Sequence, residues 1–267
     1  MTLDSVPIVA LFVATILIVM LPIEGGYRLG RMEHRLSKLE KESPVAAIGG
    51  AVLALLALIL AFTFGIASNR FDARKELVQE EANKIRAAWL QSDFLPEPDR
   101  AEAKGLFRDY LKARIELVRS PDSERVKSVL SQAERIHGRL WDMAVTNARK
   151  DMNSDVAALY IESLTEVFAI HASRVAAGIH ARIPKGAWLT LIAITVLGMI
   201  GVGYQTGIAG SKRTLAMPLL AITFASVIAM ICALDRPIGG FAVPQQPLID
   251  LFSSMETISG REKVGTP

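Results

Sequence analysis

The sequence is short of the side chains that catalysis and metal binding most often use. It has one cysteine, Cys232, so no disulfide can form within the chain and no cysteine-built metal cluster can exist. Histidine is almost as scarce, with four in 267 residues. No nucleophile elbow, Walker loop, dinucleotide fingerprint or zinc-protease pair occurs, so the chain is read as a non-enzyme with no cofactor. A net charge of +3 is small for this length and excludes the basic footprint of a nucleic-acid binder.

Charge is also missing locally, and this absence says more. The stretches 6–23, 45–67, 187–209 and 215–234 contain no Asp, Glu, Lys, Arg or His. A bilayer core of about 30 Å needs roughly 20 apolar residues as helix, and a helix in a soluble protein nearly always turns some face to water. Each stretch therefore reads as a transmembrane span, with the lipid bilayer as its partner. The first is expected to be a retained span and not a secretory leader, because only Asp4 precedes it and basic residues follow it. The same lack of ionisable residues in the spans argues against a proton-coupled transporter, and leaves room for a channel gated by apolar constrictions.

What remains is charged and helical. Between the first two spans, Leu29, Met32, Leu36 and Leu39 form a narrow apolar stripe among Arg28, Arg31, Arg35, Lys38 and Lys41. Residues 24–44 are thus expected as either a short helix along the membrane surface or a solvated linker. From Ser68 to Pro184 charges of both signs alternate, and apolar residues recur at helical spacing. The second span has no breaker before Phe94-Leu95-Pro96, so one helix is expected from Val45 to about Asp93. Asp99 with Glu102 predicts a capping box for the next helix, Pro121 opens a third, and a fourth begins near Ser154 and stops before Pro184. No strand pattern competes. The expected fold is an all-α membrane protein: four transmembrane helices with a helical soluble domain inserted between the second and third. The division is 1–67 for the first pair with its basic connection, 68–184 for the helical domain, 185–234 for the second pair, and 235–267 for a Pro/Gly-rich turn and tail. The turn is expected to fold back onto the protein, and the residues from Ser259 to be disordered.

Short basic loops stay on the cytoplasmic side. The first connection and Lys212-Arg213 between the last spans are both basic, which puts the helical domain on the outer face of an inner membrane. In the second span Gly50, Ala54, Ala57, Ala61 and Gly65 make a smooth stripe, and the third has Gly198, Gly203, Gly207 and Gly210. Such stripes let helices approach closely in lipid, within one chain or between copies. Glu134-x-x-His137, with Glu162 and Glu166 further on, is half of a di-iron pattern and does not make a metal site. His171 and His180 are expected at the surface or capping neighbours.

Phe62-Thr63-Phe64-Gly65-Ile66-Ala67-Ser68-Asn69-Arg70-Phe71-Asp72-Ala73-Arg74, followed by Glu80-Glu81-Ala82-Asn83, resembles the bestrophin-like family of bacterial membrane proteins. So does the turn Asp235-x-Pro237 with Gly240 and Pro244. The resemblance implies a homo-oligomer in the bacterial inner membrane that passes small anions. It places Phe62 and Phe64 near a pore constriction and Asn69, Arg70 and Arg74 near its mouth. Two alternatives stay open: Arg70 and Arg74 anchor their helix at headgroup level, and the chain is a non-conducting scaffold or sensor whose helical domain binds a partner or ligand.

Overall fold

The structure is a computed structural model that describes residues 7–36, 42–119, 123–179, 182–210, 215–236 and 241–264. Among these there are eight α-helices and no strand: α1 (Ile8–Leu36), α2 (Glu42–Gln91), α3 (Asp99–Arg119), α4 (Ser123–Ala148), α5 (Asp155–Ile179), α6 (Lys185–Ile208), α7 (Ala216–Asp235) and α8 (Gln246–Val264). A 3-10 turn, Ser92–Phe94, closes α2. The helices α1, α2, α6 and α7 are long and apolar enough to cross a membrane, and α3, α4 and α5 lie between the second and third of them in the chain. The chain forms two compact units, Met1–Phe71 with Arg182–Phe241, and Asp72–Ala181 with Ala242–Pro267.

The first unit holds the spans. Its core is Val19, Ile23, Leu56, Leu60, Leu191, Met199, Ala221 and Ile231, while Leu21, Leu58, Leu189, Leu197 and Leu219 stay exposed. Large aliphatic side chains turned outward along every span are what a bilayer solvates and water does not. The first helix does not stop at the membrane boundary: α1 continues through Pro22 to Leu36, so the stripe of Leu29 and Met32 belongs to a continuation of the span and not to a separate surface helix. The reason lies in two pairs of glycines, one on α1 and one on α6. Gly26 and Gly30 of α1 face the backbone of Ile200 and Tyr204 on α6, and Gly203 and Gly207 of α6 face that of Ile23 and Tyr27. A Cβ at any of these four would overlap the opposing carbonyl oxygen, so the two backbones meet along a seam only glycine permits. Lys38 and Lys41 of the basic connection, and Lys212 and Arg213, lie outside the described residues.

The second unit is a bundle of the distal part of α2 with α3, α4, α5 and α8. Its interior is filled by Ile85, Trp89, Phe107, Tyr110, Leu111, Leu140, Tyr160 and Leu164, and α8 adds Leu248, Leu251 and Met255. Fully burying each of those three is worth roughly 1.5–3 kcal/mol as an upper bound, enough to hold a terminal helix down. The tail is therefore ordered: helix continues through Ser259 to Val264. The capping box at α3 is also absent. Glu97 accepts from Ala101 N–H instead, while Asp99 accepts from Asn147 (2.6 Å) and Glu102 takes a bidentate fork from Arg139 (2.6 and 2.8 Å), so both carboxylates tie α3 to α4.

Candidate functional site

The residues singled out on the second span divide by helix face. Leu56, Leu60 and Ala67 point into the core, and Phe64 is half-buried against it. Gly50, Ala54, Ala57, Ala61 and Asn69 are exposed and Gly65 is intermediate, with nothing within 4 Å of a Cβ built at Gly50 or Gly65. Most of the stripe is thus left uncovered by the described residues, and Asn69 continues it by one more turn. Phe62, 65% exposed, stands beside it. Gly203 and Gly207 behave in the opposite way, being consumed by the seam with α1. That seam's other half, Gly26 and Gly30, is a Gly-x-x-x-Gly step that lies beyond the uncharged stretch 6–23, among charged residues.

The two arginines are held in different ways. The Arg70 guanidinium lies 3.7 Å from Asp235, which closes α7 and also accepts the Ile183 N–H at 3.0 Å. Arg74 is buried, only 7% exposed.

The most concentrated chemistry lies in the second unit, where Tyr110, Arg114 and Arg174, which the sequence did not mark out, gather around Glu81, His137 and His171. Glu81 of α2 has no solvent exposure at all. An ionised carboxylate there must be paired. One oxygen accepts from Tyr110 of α3 (2.8 Å) and lies 3.4 Å from the Arg114 guanidinium; the other accepts from Arg174 of α5. Burial alone pushes the Glu81 carboxyl up, yet the Arg114 and Arg174 charges and the hydrogen bonds from Tyr110 and Arg174 hold it below the ordinary carboxylate range. Arg174 reaches Gln245 as well, at 3.2 Å. Burial and the Glu81 charge raise the Tyr110 phenol, so it stays protonated.

His171, expected at the surface or capping a neighbour, is buried, with Nδ1 2.8 Å from the Tyr110 hydroxyl. The hydroxyl has one proton, and the Glu81 carboxylate, which has none, accepts it. Neutral His171 then carries its proton on Nδ1 and donates to the Tyr110 oxygen. The ring of His137 on α4 completes the group, its centroid 4.9 Å from His171, 5.3 Å from Tyr110 and 4.5 Å from Phe168. Burial pushes both imidazoles down to about 4; His171 adds to this at His137, and Arg114 at both. His180 lies outside the described residues.

Glu134 and His137 line a shallow cleft with Trp141, Thr165 and Phe168, and Glu166 is drawn away to Lys84 (2.6 Å). Among the described residues no group of three or more His, Cys, Asp or Glu side chains is placed to hold a metal ion.

Comparison with known proteins gives the same architecture from outside. The chain matches a crystal structure of a bacterial bestrophin homologue from Klebsiella pneumoniae with a TM-score of 0.60 and 17% identity, covering 94% of this chain and 98% of that one. A second structure of that homologue, with a different substitution, matches at TM-score 0.60 and 18% identity over 94% and 96%. A crystal structure described as a membrane protein matches at TM-score 0.61 and 17% identity over 97% and 99%. At such identities the likeness is one of fold. No curated protein matches the chain. The Bestrophin-like domain model matches residues 10–248, nearly the whole chain, so this integral membrane protein belongs to the bestrophin-like family.

Proposed function

We propose that the chain is one subunit of a homo-oligomeric anion channel in the bacterial inner membrane, with the outward face of α2 lining its pore. The observation that carries this reading is the stripe from Gly50 to Gly65, continued by Asn69 and flanked by Phe62: uncharged, exposed in the single chain, and built of small side chains. Such a surface suits copies of α2 approaching around an axis, with Phe62 as the bulky group that narrows it. Phe64 acts from behind, as packing support. Asn69 supplies a neutral hydrogen-bonding group where ions enter. Arg70 and Arg74 add positive potential that concentrates anions, with Arg70 partly neutralised by Asp235. The basic short loops favour a periplasmic helical domain. No enzymatic role is proposed.

The test is conductance of the purified full chain in planar bilayers bathed in chloride, nitrate or thiocyanate salts. Anion-selective current whose size changes in Phe62→Ala is expected, with a smaller change in Phe64→Ala. Background conductance with all three anions would remove the reading.

A second reading has its own support in the buried ionic cluster of the helical unit, which conduction does not require: a non-conducting scaffold or sensor whose helical domain binds a partner or ligand. Crosslinking in membranes that captures another component together with the chain, in preparations without anion current, favours it.

A further inference from the structure

We infer that the helical unit contains a proton-binding site, the His137–His171 pair, and that filling it loosens the packing of α3, α4 and α5 about Glu81. This goes beyond the channel reading and does not depend on it. The geometry carries it. Four helices meet at one point, each contributing polar groups: Glu81 from α2, Tyr110 and Arg114 from α3, His137 from α4, and His171 with Arg174 from α5. The imidazoles stand edge to face, ring centroids 4.9 Å apart.

In the neutral pair the charges around them are the Glu81 carboxylate, Arg114 and Arg174. That is already one more cation than anion, in a place where Glu81 is fully buried and the two arginines nearly so. His171 is locked as a donor from Nδ1 through Tyr110 to Glu81, so an added proton goes to Nε2 and turns the ring into a third cation beside the two arginines. His137 lines the shallow cleft with part of its ring, but its Nε2 is sealed from solvent without a hydrogen-bond partner, so the charged ring, which carries a proton on both nitrogens, has an Nε2–H that finds no acceptor in the closed bundle. Each ring's charge also opposes the other's, and the pair titrates as a unit.

An open bundle lets every ring nitrogen reach water, the arginines spread apart, and the added charge costs little. Acid therefore drives opening. Imidazoles pushed down to about 4 in the closed unit bind protons more readily once it opens. At pH 4.5 that difference favours the open form by roughly 80-fold per ring before solvent screening, and by at least about tenfold after it.

The test uses the full chain in lipid nanodiscs. Histidine labelled with carbon-13 at Cε1 gives four signals, one for each histidine in the sequence. Two are expected to hold their neutral position down to about pH 5 and to titrate near 4, and to be the two lost in His137→Phe and His171→Gln. Hydrogen exchange, corrected for the intrinsic pH effect, is expected to speed up at least tenfold between pH 7 and 4.5 at amides near Tyr110, His137 and His171. That step should be absent in the double variant His137→Phe/His171→Gln. Four signals titrating near the ordinary value of 6.5, or an exchange step of equal size in the double variant, would overturn the inference. Should the double variant not fold, the wild-type titration with exchange flat to pH 4.5 overturns it alone.

Discussion

Replacing Glu81 by Gln asks what the one carboxylate in the middle of the helical unit does. Gln has the same shape and keeps one oxygen, but its other end is an NH2 that must face a donor. If the oxygen stays with Tyr110 and Arg114, the NH2 points at the Arg174 guanidinium; if it turns to Arg174, the NH2 meets the Tyr110 hydroxyl and Arg114. Either way the charge that compensates two buried arginines is gone. Breaking a buried ion pair by removing one partner costs about 3–5 kcal/mol, most of it the penalty on the charges left behind. At 1.36 kcal/mol per factor of ten, the opening equilibrium of the unit rises roughly a hundredfold to a few thousandfold. Hydrogen exchange of the full chain in nanodiscs reads this directly, at amides flanking Tyr110, Leu140 and Leu164. Glu80→Gln, one residue away and exposed, is the control and is expected to change protection less than threefold. The triple replacement Glu81→Leu, Arg114→Met, Arg174→Met removes the charges together, and its protection is expected to recover to within tenfold of the wild type. A fall of less than tenfold in Glu81→Gln would refute the reasoning, because the arginines would then be adequately solvated without their anion.

The glycine seam predicts a contrast between spans. Gly203→Ile forces α1 away from α6 and is expected to lower stability by more than about 2 kcal/mol, read as a fall in Tm in detergent, whereas Gly65→Ala, with open space at its Cβ, leaves Tm unchanged or raised. Asp235→Asn weakens the tie to Arg70 and the acceptor for Ile183 N–H, at a cost of about 1–3 kcal/mol by the same measurement. Stability should also depend on pH in a fixed direction. Both His137 and His171 are lower in the folded unit than the ordinary 6.5, so their contribution is complete above that value and is lost as pH falls towards about 4. Discounted for partial solvent screening, this amounts to about 2 kcal/mol per imidazole. The depressed Glu81 carboxyl begins to add its own loss only as pH falls through the ordinary carboxylate value, so denaturation midpoints at pH 7, 5.5 and 4.5 should decline already between 7 and 5.5, where the imidazoles alone act. A midpoint constant down to pH 4.5 contradicts the sign.

Sequence carried the architecture because the signals for it are long-range averages. Twenty uncharged residues in a row, or a helix of fifty residues without a breaker, leave little freedom of interpretation. It carried the polar cluster poorly, because each member looks ordinary in its local context. Glu81 follows Glu80 on a helix full of alternating charge, and only the packing of α3 and α5 makes one buried and the other exposed. His171 sits one residue from Ile170 and four from Val167, both buried, which was the available hint that its face turned inward. Asp99 and Glu102 show the complementary error. A spacing suited to a local cap was used instead for contacts between helices, since Arg139 and Asn147 on α4 come within reach and a bidentate fork is the stronger bond.

Small residues at three- and four-residue spacing occur on α1, α2 and α6, and spacing alone did not say which stripes meet. What separates them is register. Gly26 and Gly30 lie four apart, as do Gly203 and Gly207, and the two pairs interleave so that each glycine faces a carbonyl of the other helix. The α2 stripe shows no such counterpart among the described residues: none lies within 4 Å of a Cβ built at Gly50 or Gly65. Close backbone approach needs small residues on both partners, because a large side chain on either one restores the distance that the other gave up. A stripe left unmatched among the described residues suits a partner bearing one, and a second copy of α2 bears it by construction. For that reason the homo-oligomer is the first thing to test in the channel proposal, and Gly65→Leu should reduce the assembled mass in nanodiscs while leaving the seam between α1 and α6 intact.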